Sequence, residues 1–178
     1  MTDLREKVEE DRGLIKTIQM AIPGYRGYRK REDFRIADSL LREQLADKLG
    51  GVQRTLEKAR QAVSKAMEMD LLNDIGALIN NVKGLEGKVR HAEQGYTGIS
   101  PDHRIEEAEL NRLYEYDWNL ITYVKDLESG AEKVLSLAEA RQFNEISGAV
   151  SEMRNSIEMF DDVFARRLER IGGLEVFA

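Results

Sequence analysis

Residues 34–66 read Phe34-Arg35-Ile36-Ala37-Asp38-Ser39-Leu40-Leu41-Arg42-Glu43-Gln44-Leu45-Ala46-Asp47-Lys48-Leu49-Gly50-Gly51-Val52-Gln53-Arg54-Thr55-Leu56-Glu57-Lys58-Ala59-Arg60-Gln61-Ala62-Val63-Ser64-Lys65-Ala66. From Phe34 the positions Ala37, Leu41, Leu45, Leu49, Val52, Leu56, Ala59, Val63 and Ala66 follow at steps of three or four, and every one is apolar. At 3.6 residues per turn they form one stripe about ten turns long. Gly50-Gly51 interrupts it, at about 1 kcal/mol per glycine relative to alanine. The stripe keeps its phase across the pair, so the spacing predicts one continuous helix.

The same spacing recurs on both sides. Leu71, Ile75, Leu78, Val82, Leu85, Val89 and Ala92 predict a third helix. Leu110, Leu113, Asp117, Leu120, Val124, Leu127, Ala131, Val134 and Ala138 predict a fourth, with Asp117 its single polar member. Phe143, Ile146, Val150, Met153, Ile157, Phe160, Phe164, Leu168 and Ile171 predict a fifth, closed by Gly172-Gly173. A shorter first helix runs through Leu4, Val8, Asp11, Ile15, Ile18 and Ile22. The expected fold is all-α: an elongated antiparallel bundle of about five helices with coiled-coil-like packing. It is read as a single domain over residues 1–178, since that length suits one sizeable core.

The breaks between helices carry the chemistry. Ile22-Pro23-Gly24-Tyr25-Arg26-Gly27-Tyr28 ends the first helix, and Gly95-Tyr96-Thr97-Gly98-Ile99-Ser100-Pro101 ends the third. Their shared Gly-Tyr-x-Gly core suggests a helix–turn–helix repeat over 1–70 and 71–140, followed by a final helix over 142–171. Short connections predict antiparallel neighbours. Both Gly-Tyr turns and the apolar tail, Leu174 to Phe177, then share one end of the bundle.

Composition excludes several functions. The chain has no cysteine, which removes disulfides, Cys-ligated zinc, iron–sulfur clusters and thiol catalysis. A net charge of −6 argues against broad nucleic-acid binding. The charged start, Met1-Thr2-Asp3-Leu4-Arg5-Glu6-Lys7, lacks a signal-peptide core, and no apolar run is long enough to span a bilayer. A cytoplasmic protein is expected. The two histidines, His91 and His103, have no Glu three residues before them, and no P-loop, His-Glu-x-x-His or Gly-x-Ser-x-Gly pattern occurs. No enzyme activity, metal or cofactor is expected.

Two seam positions hold carboxylates, Asp11 and Asp117, which must be paired if they are buried. Asp11 is exposed instead if the first stripe rotates onto Leu14. Around the first Gly-Tyr turn Arg26, Arg29, Lys30, Arg31 and Arg35 form a local basic cluster on an acidic chain. Arginine beside tyrosine and glycine suits a phosphate, a carboxylate or an anionic lipid surface. The expected interaction end therefore comprises Tyr25, Arg26, Tyr28, Arg29, Arg31, Tyr96 and Phe177. Tyr114, Tyr116 and Trp118 are expected to pack between helices.

The stretch Ile22 to Tyr28, with Glu32-Asp33 and Ala37-Asp38-Ser39-Leu40-Leu41-Arg42, resembles a group of uncharacterised prokaryotic helical proteins. His91-Ala92-Glu93-Gln94-Gly95-Tyr96-Thr97-Gly98 and Leu113-Tyr114-Glu115-Tyr116-Asp117 extend the resemblance over roughly residues 20–120. Ser100-Pro101-Asp102-His103 departs from the aromatic or acidic stretch of that group. The resemblance implies no catalytic activity; it implies a protein partner of the band-7 (SPFH) membrane-scaffold type and a location peripheral to a membrane. The expected function is thus a non-catalytic interaction or scaffold protein, the rival being an anionic-ligand or lipid-headgroup module. Monomer and homo-oligomer both fit the sequence.

Overall fold

The computed structural model describes the backbone of residues 4–25, 27, 31–92 and 107–176, and the side chains of 13–25, 27, 36–92 and 109–171. Five α-helices follow one another: α1 (Leu4–Ala21), α2 (Arg31–Lys65), α3 (Met69–His91), α4 (Glu107–Glu139) and α5 (Phe143–Val176). Helix α2 is unbroken at Gly50-Gly51, and the Arg54 guanidinium lies over both glycines, 3.5 and 3.8 Å from where a side chain would begin. Its 35 residues give the bundle a length of about 52 Å. Helix α5 runs through Gly172-Gly173 to Val176, so the expected stop there is corrected. Two glycines weaken a helix without forbidding it, as α2 already illustrates.

The packing differs from a simple succession of antiparallel neighbours. Helices α2 and α3 form an antiparallel hairpin, bridged by Arg90 to Asp47 and by Gln53 to Glu86. Helices α4 and α5 form a second, bridged by Lys133 to Glu152 and by Arg170 to Glu109. The hairpins lie side by side with α2 parallel to α4, as Lys48–Glu128 and the sharing of Arg167 by Asp38 and Asp117 show, and α3 parallel to α5, as Asp74–Arg154 and Lys88–Asp161 show. Among the described residues, helix α1 packs on α4 and not on its chain neighbour α2, and α3 and α4 are also apart. The expected antiparallel pairing of every consecutive pair therefore holds for two hairpins only. The other two connections, 22–30 and 92–106, are long enough to cross to a non-adjacent helix.

The repeating unit is accordingly offset by one helix from 1–70 and 71–140. Buried Leu45, Leu49, Val52, Leu56, Ala59 and Val63 of α2 match Leu120, Val124, Leu127, Ala131, Val134 and Ala138 of α4 at a constant sequence separation. Ile75, Leu78, Leu85 and Val89 of α3 match Val150, Met153, Phe160 and Phe164 of α5 at that same separation. Both hairpin turns hold a non-glycine residue in the left-handed region, Met67 at φ 61° and Arg141 at φ 58°. In the second, the Gln142 amide donates to the Leu137 carbonyl at 2.9 Å, the bond that closes a Schellman turn. All five helices contribute to one connected core.

Candidate functional site at the Gly-Tyr end

Among the described residues four charged side chains are buried, and all four meet at the end of the bundle where α1, α3 and α5 finish and α2 and α4 begin. Asp38 and Arg42 come from the third and fourth turns of α2, Asp117 from α4 and Arg167 from α5; their exposures are 2, 6, 0 and 0%. Arg167 is the hub. Its Nη1 donates to Asp38 Oδ1 at 2.6 Å and its Nε to Asp117 Oδ1 at 2.7 Å, so one guanidinium joins the two hairpins. Arg42 Nε donates to Asp38 Oδ2 at 2.7 Å, and Arg42 Nη1 to the Ala92 carbonyl at 3.0 Å. Ala92 is the C-cap of α3, so Arg42 places positive charge where the helix dipole is negative. The Tyr25 hydroxyl donates to Asp117 Oδ2 at 2.9 Å.

Every carboxylate oxygen of the two aspartates thus has a donor. Two arginines balance two aspartates, the condition under which buried charge is tolerated. Burial is the largest single influence on Asp38 and pushes its pKa up. The charges and hydrogen bonds of Arg167 and Arg42 together outweigh it and hold the carboxyl below the ordinary aspartate value.

The first Gly-Tyr turn is built onto this network. Gly24 and Gly27 have φ of 86° and 81°, a region that L side chains rarely adopt. At Gly27 a side chain would also begin 2.8 Å from the Tyr114 hydroxyl, so the turn lies against α4. Tyr25 is only 3% exposed. Expected at the interaction surface, it is instead a buried latch between the turn and α4, and that expectation is corrected for this residue. A tyrosine satisfies both demands, with an apolar ring in the core and a hydroxyl on a carboxylate.

Asp117 lies fully buried in the seam where its spacing puts it. Asp11 lies within α1, but its side chain is outside the described residues, as is that of Arg31 in α2. Arg26, Tyr28, Arg29, Tyr96, His103 and Phe177 are also outside them. Tyr114 is buried, while Tyr116 and Trp118 are half-buried; Lys125 Nζ stands 5.4 Å from the Trp118 ring centroid. His91 is exposed at the end of α3.

Sequence reasoning missed Asp38, Arg42 and Arg167. The signal for Arg167 was present: Phe160, Phe164, Arg167 and Ile171 continue the α5 stripe as regularly as the path through Leu168. Outside the network, a groove of about 320 Å³ lined by Ser39, Glu43 and Arg90 reaches Arg42. Among the described residues no three His, Asp or Glu side chains are grouped to hold a metal ion, and no helix is long and apolar enough to cross a membrane.

Comparison with known proteins gave no match to a family model, to a curated protein or to a solved structure.

Proposed function

We propose that this chain is a non-catalytic interaction protein, a helical scaffold that engages a protein partner at its Gly-Tyr end. One observation carries the reading: the buried polar groups at that end are spent on one another. Each oxygen of Asp38 and Asp117 accepts from an arginine or tyrosine donor, and the two carboxylates are balanced by two guanidinium groups, the arrangement of a structural network. The network's work is to hold a turn in a fixed place. Directly beside the latched Tyr25 and Gly27, the sequence carries Arg26, Tyr28, Arg29 and Arg31. Charged and aromatic residues next to a fixed turn suit recognition of a partner.

The resemblance to prokaryotic helical proteins supports a band-7-type membrane scaffold as the partner and a cytoplasmic position at the membrane periphery. The test is binding of the purified chain to that scaffold. Replacing Arg26, Arg29 and Arg31 together by Ser, or deleting residues 174–178, is expected to weaken binding while leaving the helical melt nearly unchanged. Wild-type binding by both variants would refute the assignment of the working end.

A second reading rests on the basic cluster alone: the same arginines hold an anionic headgroup. Flotation with anionic but not neutral vesicles, lost in the triple Ser variant and in high salt, would favour it.

A further inference from the structure

The end of the bundle opposite the buried network carries a surface of its own. Between the last turns of α2 and α4 lies an open groove of about 380 Å³. Small apolar residues line it, Ala62, Ala66 and Ala138, which lets a partner's backbone approach closely. Three exposed cations stand on its rim, Lys58, Lys65 and Arg141. Midway along the bundle the same α2–α4 junction is bridged by the ion pair Lys48–Glu128. At the groove the cations are left over. Among the described residues none of the three is paired, and Glu139, the one acidic residue of the lining, forms no ion pair with them. The lining therefore carries an excess of two positive charges on a chain whose net charge is −6.

The two hairpin turns beside the groove add a second observation. Met67 and Arg141 have φ of 61° and 58°, a region that glycine adopts without steric cost and that other residues rarely enter. Met67, next to Ala66, is 84% exposed, and Met69 is 62% exposed. The turns alone call for glycine, so methionine and arginine at these positions point to a use for their side chains.

We propose that this groove docks an acidic amphipathic helix of a protein partner, its apolar face on the alanines and Met67 and its carboxylates on Lys58, Lys65 and Arg141. Charge complementarity selects an anionic ligand. Apolar alanines and an adaptable methionine select one that also has an apolar face, the helix-in-groove mode of recognition. A small anion would leave Met67 unused. A flat anionic bilayer would meet exposed Glu68 and Asp70 of the same turn, whereas a helix lying in the groove meets the cations. The proposal does not rest on the Gly-Tyr end, whose buried network lies about 30 Å away along α2.

The experiment uses the full chain and a fluorescent peptide with leucine along one helical face and glutamate on its flanks, with glutamine replacing glutamate in a control peptide. The glutamate peptide should bind saturably. Binding should be about tenfold weaker for the glutamine peptide, and for a chain carrying Lys58→Ser, Lys65→Ser and Arg141→Gly, because three exposed ion pairs of modest strength are lost. Arg141→Gly alone separates recognition from folding: glycine suits the turn, so the melting temperature should hold or rise while the peptide binds more weakly. Replacing Arg26, Arg29 and Arg31 by Ser should leave peptide binding unchanged. No saturable binding, equal binding of the two peptides, or wild-type binding by the chain altered at Lys58, Lys65 and Arg141 overturns the proposal. Loss of binding in the Arg26, Arg29 and Arg31 variant overturns it too, since the peptide then sits at the Gly-Tyr end. Pyrophosphate or phosphatidylglycerol vesicles held by Lys58, Lys65 and Arg141 without any binding of the peptide would likewise overturn it, in favour of a small anion or a lipid surface.

Discussion

Arg167 is the residue on which the end of the bundle depends. It is fully buried and serves two aspartates on two different helices. Arg167→Met keeps the volume but leaves two buried carboxylates without their shared cation, and it should cost about 3–5 kcal/mol in denaturant unfolding. Replacing Asp38, Arg42, Asp117 and Arg167 together by apolar residues should cost far less, because the desolvation penalty vanishes with the charges. If the single variant unfolds like wild type, the network adds nothing.

The sign of the pH effect follows from Asp38. Its folded pKa lies below the unfolded value of about 3.9. Its contribution is therefore complete above the unfolded value and is lost as pH falls through the folded one. Stability should hold from neutral pH to about pH 5 and decline below about pH 4, and Asp38→Asn should flatten that decline while lowering stability at neutral pH. Of these residues, Asp117 was legible as the one polar member of an apolar stripe. Asp38 was hidden one position after Ala37, and Arg167 one before Leu168, because a stripe built on apolar letters steps around a charge whenever an apolar neighbour is available.

At the scale of the element, helices were readable because their hydrophobic period is local, while pairing was not, because it depends on what crosses the ends. The α2 stripe predicted continuity through Gly50-Gly51, and α2 is continuous there. The same pattern said nothing about α1 choosing α4 over α2. It also gave no sign of which glycines carry contacts, and two of them separate cleanly. A methyl group at Gly50 would stand 3.5 Å from a flexible Arg54 nitrogen, an ordinary contact. Gly50→Ala should therefore stabilise the protein by up to about 1 kcal/mol through helix propensity. A methyl group at Gly130 would stand 2.7 Å from Met153 Cγ, where α4 meets α5. Overpacking there exceeds the propensity gain, so Gly130→Ala should give a net loss of up to about 2 kcal/mol. Thermal melts of the two variants must move in opposite directions; a shared direction would contradict the close approach of α4 and α5.

The molecule as a whole should open in a definite order. Four helices form two hairpins that bury a matched set of apolar residues against each other, so none can leave without exposing the core. Helix α1 can leave by breaking its contacts with α4 and the Tyr25–Asp117 bond. Regions with few partners open at free energies below that of global unfolding. Native-state hydrogen exchange should therefore show amides of 13–21 exchanging through a sub-global opening, while the central turns of α2 and α4 exchange only with global unfolding. Tyr25→Phe should speed exchange in α1 and leave α3 unchanged, because α3 meets the network at the Ala92 carbonyl, which accepts from Arg42 and not from Tyr25. Arg167→Met should act differently, lowering protection near Asp38 in α2 and Asp117 in α4 at once, since its guanidinium joins both. The opposite end, around Met67 and Arg141, should keep wild-type protection relative to the global value. Equal protection of α1 and α4 would mean that α1 is an integral part of the core and that the bundle opens as five helices rather than as four and one.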